Sequence, residues 1–153
     1  MMVSRRGVSG IAALIAGLLA AKSASAAETG AKTHRVAIQV STNDAGVFDL
    51  ALNNAVNLAR EYGEAAEELE VEIVAYGPGL HMVRADTSPA KARLHSVTAS
   101  VPGLVISACG NTITAMEHAE GRKLELLPNV GVVRAGAVRL VALQEAGWSY
   151  LRV

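Results

Sequence analysis

The stretch Leu104-Val105-Ile106-Ser107-Ala108-Cys109-Gly110-Asn111-Thr112 decides how the chain is read. A β-branched, apolar run ends abruptly in the only cysteine of the 153-residue chain. Glycine, asparagine and threonine follow, and then a helical pattern around residues 113–119 that stops near Gly121. A buried parallel strand delivers a side chain to the open edge of an α/β sheet in this way, and ligands gather at that edge. A free cysteine is also among the most buried residue types, so its position alone leaves inert filler and working thiol both open.

Outward from that stretch the same alternation repeats. Residues 34–40 form a β-branched run, which predicts the first strand. Residues 41–46 are turn-rich and supply N-cap candidates for a helix over about 47–62. Its stripe is Phe48, Leu52, Ala55, Ala59 and Tyr62, with Gly63 as the expected stop. The glutamates of residues 64–70 read as a solvated connection or helix extension. A second strand over 71–76 is closed by Gly77-Pro78-Gly79, and Leu80 to Arg84 as a helical turn. Ser88-Pro89 reads as N-cap and N1 of a helix running to about Ala99. Residues 130–133, 136–146 and 148–153 read as strand, helix and strand. The whole predicts an α/β domain: a three-layer α/β/α arrangement with a mostly parallel sheet of about five strands. The order of the strands does not follow from the pattern.

Residues 1–26 read as an export signal. Arg5-Arg6 form a basic start, residues 8–21 an apolar run too short to span a bilayer, and Ala24-Ser25-Ala26 a small-x-small cleavage pattern. The paired arginines suggest the twin-arginine route. Residues 27–33 read as a flexible tail and 34–153 as the domain, which makes the mature chain a periplasmic protein with no membrane span. Arg5, Arg6 and Lys22 have no acidic counterpart in the signal, so the rest of the chain is net acidic although the whole is neutral. With aromatics at 3% and no basic patch, nucleic-acid binding is not expected.

An oxidising compartment and a single cysteine exclude an intramolecular disulfide. Thioredoxin-like exchange needs a second cysteine, a cysteine-phosphatase or rhodanese loop needs an arginine where Thr114 and Ala115 stand, and residues 41–46 lack the lysine of a phosphate loop. Metal ligation by Cys109 with Met116 and His118 has poor spacing; no metal and no cofactor are expected. At a strand-to-helix junction a thiol meets unpaired amides and the positive end of the helix dipole, which favours the thiolate. Gly110 would let backbone approach a bound anion, and Asn111 and Thr112 would cap the helix or donate to a sulfur substituent. His81, in the loop after the second strand, is the acid/base candidate. Asn54 and Asn57 are candidates for reaching a neighbouring loop from the first helix.

Ala108-Cys109-Gly110-Asn111-Thr112, Asn54 and Asn57, Tyr76-Gly77-Pro78-Gly79 and the ending Leu143-Gln144-Glu145-Ala146-Gly147-Trp148-Ser149-Tyr150 together resemble the DsrE/DsrF-like family, with its TusD-like sulfur-relay members. The likeness spans about residues 34–153. It implies a homo-oligomer, often a trimer or hexamer, and a persulfide carried on Cys109 between sulfur donor and acceptor proteins. Gly77 and Gly79 enter the expected site through it. A sulfurtransferase-like relay is the leading expectation. A periplasmic module that binds a small ligand or partner without catalysis, and a thiol redox sensor, are the alternatives.

Overall fold

The computed structural model describes residues 32–153; the expected export signal at residues 1–26 and most of the expected tail at 27–33 lie outside the described residues. Five strands, β1 (Thr33–Val40), β2 (Glu68–Ala75), β3 (Leu104–Cys109), β4 (Val130–Val133) and β5 (Ser149–Arg152), form one sheet in the order β4-β3-β2-β1-β5. Every pairing is parallel. The helices are α1 (Ala45–Glu64), α2 (Lys91–Ser100), α3 (Gly110–Glu120) and α4 (Gly136–Glu145), with a 3-10 segment, Gly77–Val83, between β2 and α2. This is the expected three-layer α/β domain. No helix among the described residues is long and apolar enough to cross a membrane.

The two faces of the sheet differ. On one, Phe48, Leu52, Leu94 and Val97 of α1 and α2 pack on Val36, Ile38, Ile73 and Ile106, with Ile113 and Met116 of α3 at the margin. Each fully buried side chain of this size contributes roughly 1.5–3 kcal/mol, so most of the apolar stabilisation lies here. On the other face only α4 covers the sheet, through Leu140 and Leu143 against Ala37 and Val74. Side chains alternate along β3: Ile106 and Ala108 join the larger core, while Ser107 and Cys109 point toward the α4 side.

Several boundaries differ from the sequence expectation, each for a local reason. β2 begins at Glu68 rather than residue 71, because Glu68 and Glu70 bond Thr33 and Arg35 across the β1 pairing. α1 passes through Gly63 to Glu64, and the left-handed residue after it is Ala66, at φ 55°. Ser88 does not cap α2 directly. Its hydroxyl donates to the Met82 carbonyl and accepts from the Ala90 amide, which delays the helix to Lys91. α3 starts at Gly110, so Cys109 is itself the N-cap residue.

Buried Arg84, 1% exposed, secures the connection before α2. It donates to Asp86 and to Glu120 at the end of α3. The Arg84 guanidinium, with Arg122, holds the Asp86 carboxyl well below the usual carboxylate range.

Gly79 allows the 3-10 segment to lie on the end of β1, where an added Cβ would stand 2.3 Å from the Val40 carbonyl oxygen. Gly79→Ala is expected to destabilise the protein by about 1–3 kcal/mol or more, the usual range for overpacking. Gly63→Ala, with nothing within 4 Å of the new methyl, is expected to stabilise it by about 0.5–1 kcal/mol through helix propensity. Thermal unfolding of the two variants should shift in opposite directions.

Candidate functional site

β3 and β4 are neighbours, yet the helices that follow them leave toward opposite faces: α3 joins the α1/α2 side and α4 the other. A gap between two such strands is the switch point at which open α/β sheets bind ligands. Cys109 stands at that gap, paired in register with Val133. It is 6% exposed.

The first residues of α3 and α4 meet at Cys109. Cys109 makes no formed side-chain capping bond in its own helix, but the Thr112 hydroxyl and the amides of Gly136 and Thr112 lie where they favour a charged sulfur. Burial alone pushes the Cys109 thiol up; the hydroxyl and these amides outweigh it and hold the thiol below its ordinary value. Magnitudes make that plausible: a hydrogen bond to a charged group contributes roughly 1.5–3 kcal/mol, and a partly buried helix terminus up to about 2 kcal/mol. The donors are all neutral, so the site favours an anion without a cation in contact.

The Thr112 hydroxyl is oriented by the neighbouring loop. Its oxygen accepts the Gly77 amide at 3.0 Å, which leaves its proton free for Cys109. Gly77, at φ 53°, takes the left-handed turn that aims this amide. Gly77 thus donates to Thr112, whose hydroxyl proton is left for the Cys109 sulfur.

The other candidates fall differently. Gly110 faces the protein's own backbone rather than a ligand: an added Cβ would lie 3.2 Å from the Val133 carbonyl oxygen. The Asn111 amide donates to the Arg134 carbonyl at 3.1 Å, tying α3 to the β4–α4 connection, while its side chain is exposed. Gly79 is a packing glycine beside Val40. The His81 imidazole is engaged through Nδ1 with the Thr87 hydroxyl at 2.7 Å. Asn54 and Asn57 line a groove of about 530 Å³ with Leu58, Tyr62 and Leu151, between α1 and edge strand β5. That groove shares no residue with Cys109 or the groups around it. Next to Thr112 and Asn111 runs a shallow, mostly apolar groove of about 460 Å³, walled by Gly77, Pro78, Ala115, Met116 and Ala119.

Gly136 was not among the sequence candidates, and Tyr76 entered only as part of the Tyr76-Gly77-Pro78-Gly79 motif. A Cβ on Gly136 would stand 2.9 Å from Tyr76 Cβ and 3.3 Å from Cys109 Cβ, so only glycine lets α4 begin this close to the sulfur. The available signal was a second strand-to-helix junction, Val133-Arg134-Ala135-Gly136, of the same kind as the one at Cys109.

No protein-family model matches the chain, and no curated protein matches it. Among solved structures it is similar to MTH1491 from Methanobacterium thermoautotrophicum, a protein of unknown function: 30% identity over 78% of this chain and 99% of that one, with a TM-score of 0.66. It is also similar in fold to the YchN protein of E. coli, at 13% identity, with the same coverage and a TM-score of 0.52. Both neighbours have DsrE-like folds.

Thr112→Val removes one donor from the sulfur, whereas Thr112→Ser keeps it. With the donor gone the thiol ionises at higher pH, so alkylation at neutral pH should slow on the order of tenfold. The rate–pH curve should move to higher pH for the valine variant and stay in place for the serine variant.

Proposed function

The chain belongs to the same family as MTH1491 and has a DsrE-like fold, and from that premise we propose that it is a sulfur carrier that holds and hands on sulfane sulfur as a persulfide on Cys109. The carrying observation is the place of Cys109 at the sheet's switch point, as the N-cap of α3 and against the first residue of α4, where a Cβ on Gly136 would stand 3.3 Å from Cys109 Cβ; the Thr112 hydroxyl and the Gly136 and Thr112 amides there favour the thiolate. An inert core cysteine has no need of donors aimed at a thiolate.

The chemistry balances without an outside oxidant. The Cys109 thiolate attacks the outer sulfur of a donor persulfide, R–S–SH; the donor's S–S bond breaks, R–S⁻ leaves, and Cys109–S–SH forms. Release reverses the roles, with an acceptor thiolate attacking the outer sulfur on Cys109. Burial of the sulfur favours a small cargo over a mixed disulfide with another protein. An added sulfur stands about 2.05 Å further out, nearer to an acceptor. Membership of the Ala-Cys-Gly-Asn-Thr branch, export to the periplasm through the signal at residues 1–26, and assembly into a homo-oligomer that meets donor and acceptor proteins are parts of the same proposal.

The test is direct. Purified protein lacking the export segment is incubated with glutathione persulfide and weighed intact. A one-sulfur adduct that a reductant removes, and that is missing in Cys109→Ser, is the expected result. Absence of the adduct, or its persistence in the serine variant, overturns the reading.

A further inference from the structure

Two charged side chains among the described residues are buried, and the site as described uses neither. Arg84 fastens the connection before α2 to the end of α3. Glu72, 2% exposed, lies mid-strand in β2 on the face that α4 covers. Both of its oxygens are occupied. Oε1 accepts from Ser107 Oγ at 2.6 Å and from Arg139 Nε at 2.9 Å; Oε2 accepts from Arg139 Nη2 at 2.6 Å. The cluster joins β2, β3 and α4, the three elements that meet around Cys109 on that side. Ser107 precedes Cys109 by two residues on the same strand face, and Arg139 lies one helical turn beyond Gly136.

The rest of α4's attachment is apolar, through Leu140 and Leu143. Apolar contact is non-directional, and two leucines on a smooth sheet face tolerate sliding and rotation. A guanidinium fork on a carboxylate fixes both position and angle. Only the carboxylate of this pair is buried, the Arg139 side chain being 42% exposed; such a pair contributes little net stability over apolar residues of the same shape, and its best-attested use is to set register. Besides the Glu72–Arg139 pair, the elements around the sulfur carry Tyr76 just after β2, Arg134 ahead of α4, Glu117, His118 and Glu120 on the later turns of α3, Glu145 at the end of α4, and Glu68 and Glu70 at the far end of β2.

We propose that Glu72, Ser107 and Arg139 are positioning residues for Cys109: they pin the first turn of α4 to the sheet and so hold the Gly136 amide against the sulfur. This rests on the reading of Cys109 as a working thiol, and it adds which residues outside the motif hold that thiol in its working form.

The experiment follows thiolate ultraviolet absorbance against pH, alongside thermal unfolding, in the purified protein and its variants. Arg139→Gln and the double variant Glu72→Gln/Arg139→Gln should move the titration midpoint to higher pH and lower the thiolate population at neutral pH about tenfold, the equivalent of one charge-assisted hydrogen bond. Arg139→Lys, which keeps the charge without the fork, should recover part of the loss. Leu52→Ala, in the opposite core, should lower the unfolding temperature and leave the midpoint in place. A folded double variant with an unchanged midpoint overturns the proposal, as does an equal shift in Leu52→Ala. If neither charge variant folds, Ser107→Ala decides, since a smaller shift in the same direction supports the pin and an unchanged midpoint overturns it. Failure of persulfide loading with an intact midpoint shift removes the sulfur-carrier reading alone.

Discussion

Adjacent parallel strands that send their helices to opposite faces leave a gap neither helix can close, and the local structure around Cys109 follows from that constraint. β3 and β4 are held side by side from Ile106–Val130 to Cys109–Val133. Beyond that last pair the chains part, and the amides at the starts of α3 and α4 are left pointing into the space between them. The Asn111 amide bridges the gap to the Arg134 carbonyl, so the two departures stay in register. Gly110 and Gly136 are the consequence: each stands where another part of the chain comes too close for a side chain to be added without displacement.

Within that gap the energetic balance is between removing a thiol from water and surrounding it with donors. Burial opposes ionisation; the hydroxyl and backbone amides favour it and prevail. Because these donors are neutral, the sulfur's charge is set by geometry rather than by a nearby cation, and small displacements of α4 or of the Gly77 turn matter more than they would beside a fixed charge. This gives physical meaning to the unequal faces of the sheet. The thick side, with α1, α2 and α3, carries the apolar stabilisation. The thin side carries one helix on two leucines and an ion-paired polar cluster, the arrangement suited to fixing where a helix sits.

The proposed sulfur-carrier role asks for a small, anionic, covalently held cargo, and the surroundings of Cys109 are compatible with one. The sulfur is shielded, and the groups that favour its charge are a hydroxyl and backbone amides. His81 is occupied with Thr87, and Asn54 and Asn57 lie at a separate groove, so none of the three stands in the Cys109 candidate site.

The alternation of strand and helix was legible because each element carries its own period: β-branched runs in residues 34–40, 71–76 and 104–108, and the Phe48–Leu52–Ala55 stripe. The core of the site was legible for a similar reason, since Cys109 and Thr112 lie within four consecutive residues and a strand-to-helix junction dictates what they face. Helix ends were less legible, because Gly63 and Ala66 compete locally and the outcome depends on packing beyond them. What only the tertiary structure decided is which distant residues share the gap. Nothing in a periodic pattern specifies that β4 lies beside β3 while α4 crosses behind, so nothing in it places Gly136 on Cys109. Nor does it join Glu72 to Ser107, 35 residues on, and to Arg139, 67 residues on. Those pairings depend on strand order, which is set by how whole faces bury against one another and not by any local run of residues.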